Sequence, residues 1–182
     1  MVLSYKYNDI FVPVRGKECS TEQMPFISEK MPTYNEFANA SLVDIYGEKI
    51  QTAYQREANQ FNSVVLLNKG EGKFDTVTLD NLVQSMPILD AVSKDINKDG
   101  FEDLIVVGNI YDTEVETPRL DNPYGLILLS NGQNGYETIP PSVSGLYIKG
   151  DAKSVELVSQ NNKDIILVSC NNGAVESFEL KL

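Results

Sequence analysis

The stretch DINKDGFEDLIVV, residues 95–107, joins a dense acidic segment to an unbroken apolar run. The run reads as a buried strand, because a strand covered on both faces loses the usual alternation of apolar and polar residues. In the acidic half, Asp95, Asn97, Asp99 and Asp103 occupy positions 1, 3, 5 and 9 of a loop, with Gly100 at position 6. Alternate positions let a tight loop turn hard oxygen ligands toward one centre, and glycine permits the chain reversal. Phe101, at position 7, adds its backbone carbonyl. Such a set of five oxygen donors suits Ca²⁺, with water completing the shell. Mg²⁺ fits less well, since it prefers a regular octahedron with several waters. An EF-hand needs an acid at position 12, where this chain has Val106. The alternative reading is a solvated acidic turn that binds nothing.

Outward from this stretch, the chain repeats itself. NSVVLLNKGEGKFDTV (62–77) and YGLILLSNGQNGYETI (124–139) share an order: an apolar strand, a glycine-containing turn, then an aromatic that opens the next strand. Phe74 and Tyr136 correspond, 62 positions apart; DLIVVGN (103–109) and DIILVSC (164–170) correspond at 61. Two matches at nearly one period predict an internal repeat. Short strands with turn chemistry between them predict an all-β arrangement after residue 60. With no Trp in the chain, a propeller-like array would not be of the Trp-Asp type. The second equivalent of the acidic loop, ELVSQNNKDIILV (156–168), keeps Asp164 but loses the glycine and the spacing. It reads as a degenerate copy without a cation.

Before residue 60 the signals are helical. SLVDIYGEKIQTAYQREA (41–58) places Leu42, Ile45, Tyr46, Ile50, Ala53 and Tyr54 at helical spacing. Ser41 with Asp44 forms a capping box. A shorter helix is predicted over PTYNEFANA (32–40), with Pro32 early in its first turn. DIFVPV (9–14) reads as an edge strand or strand end because of Pro13.

Composition narrows the function. The 182 residues carry 15 Lys and Arg against 26 Asp and Glu, a net charge of −11. That balance disfavours nucleic acid and anionic membranes as partners and favours cations. No apolar run reaches the roughly 18 residues of a membrane span, so no membrane insertion is expected. The absence of His removes Ser-His-Asp and Cys-His catalysis and His-ligated zinc. Cys19 and Cys170 are the only cysteines; a disulfide and two separate thiols both remain open. The start, MVLSYKYNDIFVPVRGKE, shows no secretory pattern of basic, apolar and small-residue segments. The expectation is a cytoplasmic protein or a leader encoded beyond this chain.

The unit DINKDGFEDLIVVGN resembles the FG-GAP/VCBS repeat, the calcium-loop blade of integrin-α-type β-propellers. RGKECSTEQMPF, SLVDIYGEKI, NKGEGKF, GNIYDTEVETPRLD and SGLYIKGDAKSVELV continue the likeness. In that order they resemble the C-terminal part of secreted VCBS proteins related to the ASPIC/UnbV and cartilage-acidic-protein group. The resemblance implies a mainly β fold: about two and a half blades of a partial β-propeller, with an N-terminal helical insertion. It implies one domain over 1–182, a fragment of a larger propeller, with the insertion at 18–60 and the blades at 61–182. One blade would have strands near 89–94, 103–109, 125–130 and 136–139. The last would have strands near 154–158, 164–169 and 174–180. A first partial blade would combine 9–14, 63–67 and 74–79.

Strand alternation then puts the calcium loop on one face and the EVETPRLD loop, beside the helical insertion, on the other. Glu114, Glu116, Arg119 and Asp121 are therefore the candidate ligand-binding residues; their alternative is a solvated loop held by Arg119 pairing with Glu116 or Asp121. The implied function is a calcium-stabilised extracellular or cell-surface module that recognises a protein or glycan without catalysis. A carboxylate-based glycan-active enzyme and a purely structural propeller piece are the alternatives. Uncovered end blades would favour a homodimer.

Overall fold

A computed structural model describes every residue except Glu116, Pro123, Asn162, Lys181 and Leu182. The fold is mainly β, built from several small antiparallel sheets. The chain divides into two compact units, Met1–Asn59 and Gln60–Leu182.

The first unit opens with a hairpin, β1 (Ser4–Tyr7) and β2 (Ile10–Pro13). Its two-residue turn is Asn8-Asp9, with φ of 45° and 66°. Both are residue types that accept the left-handed region a tight hairpin turn demands. This corrects the expected first partial blade. The 9–14 strand pairs with the segment just before it, and β3 (Val64–Gly70) with β4 (Lys73–Thr78) forms a separate two-stranded sheet.

Four short helices follow: α1 (Lys17–Gln23), α2 (Phe26–Lys30), α3 (Tyr34–Ala38) and α4 (Leu42–Tyr46). They bury Ile27, Met31, Phe37, Ala40 and Ile45 against one another. α3 is shorter than its predicted span because a capping box of Thr33 and Glu36 starts it after Pro32. The predicted box of Ser41 and Asp44 is present at α4. The long 41–58 helix is not. Gly47 turns to φ 69° and ends α4, a 3-10 helix covers Gly47–Thr52, and the chain then leaves helical structure.

In the second unit, β5 (Asp90–Lys94), β6 (Asp103–Val107), β7 (Leu126–Ser130) and β8 (Tyr136–Ile139) form a four-stranded antiparallel meander in sequence order. Val92, Ile105, Ile127 and Ile139 pair in one row across it. A second meander holds β9 (Asp151–Gln160), β10 (Lys163–Asn171) and β11 (Glu176–Leu180), with β10 in the middle. These strands lie near the ranges expected for the two blades, except that β9 extends beyond 154–158 at both ends. The two sheets pack through Ile105, Val107 and Ile127 on one side and Val155, Ile166 and Val168 on the other. The opposite face of the four-stranded sheet buries Val106, Leu126 and Leu128 against Leu79, Val83 and Met86, which lie before, within and after α5 (Asn81–Gln84). The central strands are thus covered twice, which is why their sequences lack alternation. No closed propeller is formed by the described residues.

One acid stitches the two sheets. Asp90, on β5, accepts hydrogen bonds from the Ser154 hydroxyl at 2.6 Å and the Val155 N–H at 3.0 Å, both on β9. The Ser154 bond, then the Val155 bond, holds the Asp90 carboxyl below its usual range, against the opposing effect of burial. Its folded pKa lies below its unfolded one, so its contribution is full at neutral pH. That contribution fades as pH falls below about 4 and through the folded value. Asp90→Asn should therefore flatten the acid limb of stability below about pH 4, measured by urea unfolding at stepped pH. Equal slopes for both proteins would remove Asp90 from that role.

Candidate metal centre

The β5–β6 connection is the acidic loop. Its turn needs two left-handed residues, Lys98 at φ 62° and Gly100 at φ 91°, and only glycine takes the second without strain. The Asp95 carboxylate accepts from the Asp99 N–H at 3.1 Å and the Gly100 N–H at 3.0 Å. The Asn97 side-chain oxygen accepts from the Asp99 N–H at 3.0 Å, and the Asp99 carboxylate accepts from the Phe101 N–H at 2.9 Å. Asn97 Nδ2 also donates to Asp99 Oδ2 at 2.8 Å. Asp95, Asn97 and Asp99 are therefore brought together through the amides of their own loop.

Asp103 stands apart in role. It is fully buried, and its two oxygens accept from the Ile96 N–H and from the Ser130 N–H, each at 2.8 Å. It ties the start of the loop to the start of β6 and to the end of β7. The Phe101 ring lies over Gly132 in the β7–β8 turn, where an added Cβ would come within 2.5 Å of it. Asp103 and Phe101, expected as ligands, each anchor the loop to its sheet.

The donor chemistry fits a hard cation, being oxygen throughout. Each carboxylate oxygen has two lone pairs, so the amide bonds leave acceptor capacity. Among the described residues, however, no group of three or more His, Cys, Asp or Glu side chains is gathered as a metal cluster. The carboxylates point their bonds to loop amides rather than to a shared centre.

The segment expected to be a degenerate copy, 156–168, has no such loop. Gln160 pairs with Lys163, so only two residues separate β9 from β10. Asp164 instead bonds Lys94 Nζ at 2.5 Å and accepts from the Ser159 hydroxyl. The Lys94 bond leads in holding its carboxyl below the usual range.

On the EVETPRLD loop, Arg119 pairs with Asp121 at 2.6 Å and lies 4.6 Å over the Tyr111 ring. The Tyr111 hydroxyl donates to Asp121 at 2.8 Å. Burial, then this bond, pushes the tyrosine pKa up. Arg119 and Asp121 thus take the self-paired arrangement, and Tyr111, which the sequence reading missed, completes it. Glu114 caps the turn below, accepting from the Thr117 hydroxyl at 3.2 Å. Glu116 lies outside the described residues.

Beneath this loop is a polar layer that spacing alone gave no signal for. Asn109, almost fully buried, bonds Gly150 and the Asn122 N–H at 2.9 and 2.7 Å. Lys153 reaches the Asn109 carbonyl at 2.6 Å and buried Asp151 at 2.8 Å. Neither cysteine forms a disulfide. No helix among the described residues is long and apolar enough to cross a membrane. Compared with protein-family models, with curated proteins and with solved structures, the chain gives no match.

Proposed function

We propose that the chain is a calcium-stabilised, non-catalytic binding or scaffold module of the FG-GAP/VCBS type. It recognises a protein or glycan in an extracellular or cell-surface setting, and its two meanders are consecutive blades of a larger propeller. The observation that carries this reading is the β5–β6 loop, in which Asp95, Asn97 and Asp99 share one turn above the Asp103 anchor. Asp95, Asn97, Asp99, Asp103 and the Phe101 carbonyl would hold the ion. The cation would neutralise carboxylates that otherwise repel one another, so its role is structural.

Affinity in the range of extracellular modules is about 10⁻⁴ to 10⁻³ M. At about 10 mM calcium this stabilises the folded state by roughly 1.4–2.7 kcal/mol. The melting temperature should therefore rise by several degrees between EDTA and calcium, and calorimetry should register heat. Asp99→Asn removes one charge but keeps the oxygen that accepts the Phe101 amide, and should abolish most of that rise. Superimposable melting curves in EDTA and excess calcium would sink the cation site.

Leu66 and Phe74, on the hairpin of β3 and β4, are 58% and 54% exposed. A two-fold dimer that covers such faces fits the pattern of uncovered blades. Light scattering should show mass falling toward the monomer across a hundredfold dilution; a constant monomer mass would end the dimer proposal.

A further inference from the structure

Between the two meanders the sheets part and leave a cavity of about 720 Å³. It opens to solvent, and small-molecule sites run to roughly 300–1,000 Å³. The wall is apolar: Ile127, Leu129 and Ile139 from one sheet, Ile166, Phe178 and Leu180 from the other. Asn97, Lys98, Ser144 and Glu179 supply the polar part of the lining.

The two charges there are not equivalent. Glu179 is paired with Lys163 at 3.0 Å. Lys98 makes no hydrogen bond or ion pair with a described residue. Asp164, which feels its charge, is already held by Lys94 and Ser159. The cavity therefore joins an aliphatic interior to one exposed, uncommitted ammonium group.

We propose that this cavity binds a single-chain amphiphile with a monoanionic head, a fatty carboxylate, its chain between the sheets and its carboxylate on Lys98 Nζ. Charge selects the head. A cationic head would meet Lys98, and a dianion would meet Glu179 and Asp164 as well. The net charge of −11 opposes docking on an anionic bilayer, which favours the free monomeric acid over a lipid surface. The assignment rests on the cavity wall and on Lys98, which is not among the proposed cation ligands, although Asn97 belongs to both sets.

The test is isothermal calorimetry in EDTA with dodecanoate below its micellar range, with dodecanol and dodecyltrimethylammonium as comparison probes. Dodecanoate should bind with a stoichiometry of one, and the ammonium amphiphile should not bind. Each methylene removed from the acid should weaken it about fourfold. Lys98→Gln should weaken dodecanoate about fivefold and leave dodecanol unchanged. Val143, 74% exposed beside the cavity, offers a variant that spares the core: Val143→Trp should weaken both. An absence of dodecanoate heat, a stoichiometry well above one, or equal dodecanoate affinity in the wild type and Lys98→Gln would each overturn the proposal. Because every arm runs in EDTA, its outcome is separate from that of the calcium experiment.

Discussion

Asp103→Ala should cost the fold about 3–5 kcal/mol, with or without calcium. The side chain is fully buried and its two oxygens each accept a backbone N–H, from Ile96 and from Ser130. Alanine leaves both donors without a partner, and an unsatisfied buried donor costs about 1–3 kcal/mol. The lost bonds also detach the loop from β6 and from the end of β7, so neighbouring packing at Ile96 weakens as well. Urea unfolding followed by circular dichroism measures the loss. Asp103→Asn keeps one acceptor and should lose about half as much. A loss below about 1 kcal/mol for the alanine variant, the scale of an ordinary surface change, would show that water replaces both bonds. The effect in EDTA separates this role from metal binding: a residue that served only as an ion ligand would cost nothing there.

The anchoring role of Asp103 separates the parts of the site that were legible in the sequence from those that were not. The spacing of Asp95, Asn97, Asp99 and Asp103 announces a loop of oxygen donors, because spacing is a local property. Whether those oxygens converge is not local. Here the amides of Asp99, Gly100 and Phe101 take them up. The strands around the loop were readable for a related reason. Leu104–Val107 and Leu126–Leu129 need apolar residues on both faces, since each sits between two cores, and the turn residues that bound these short runs mark them as strands.

The failures have equally physical causes. Apolar spacing over 41–58 fits a helix, but one glycine at φ 69° outweighs it. The segment Ser4–Tyr7 carries too little apolar signal to read as a strand, and the Asn8-Asp9 turn folds it back on Ile10–Pro13. The Tyr111, Arg119 and Asp121 cluster depends on the Ile110–Leu120 bridge bringing the two ends of a loop together. The cavity depends on how two sheets splay, which no local pattern encodes.

Gly108→Ala should be the most damaging single-methyl addition in the second unit, at about 3 kcal/mol or more. Gly108 follows the last residue of β6, where the segment leading into β5 passes over it. A Cβ there would sit 2.2 Å from the Pro87 carbonyl oxygen and 2.7 Å from the Leu89 nitrogen. Both are backbone atoms, so no side-chain rotation relieves the clash. The Leu89 N–H donates to the Val107 carbonyl at 2.9 Å, and moving the crossing segment away breaks that bond at the edge of the sheet. Overpacking of this kind costs about 1–3 kcal/mol, and more where backbone must shift; the lost bond adds about 1 kcal/mol. Gly125→Ala is the informative comparison. Its Cβ would meet the Leu146 Cδ2 methyl at 2.7 Å, the far end of a side chain that can turn into the neighbouring cavity, so a loss of about 1 kcal/mol is expected. Urea midpoints of the two variants decide the matter. If Gly108→Ala is no worse than Gly125→Ala, the crossing segment yields freely, and β5 is held by its own pairing and by Asp90 rather than by close passage over β6.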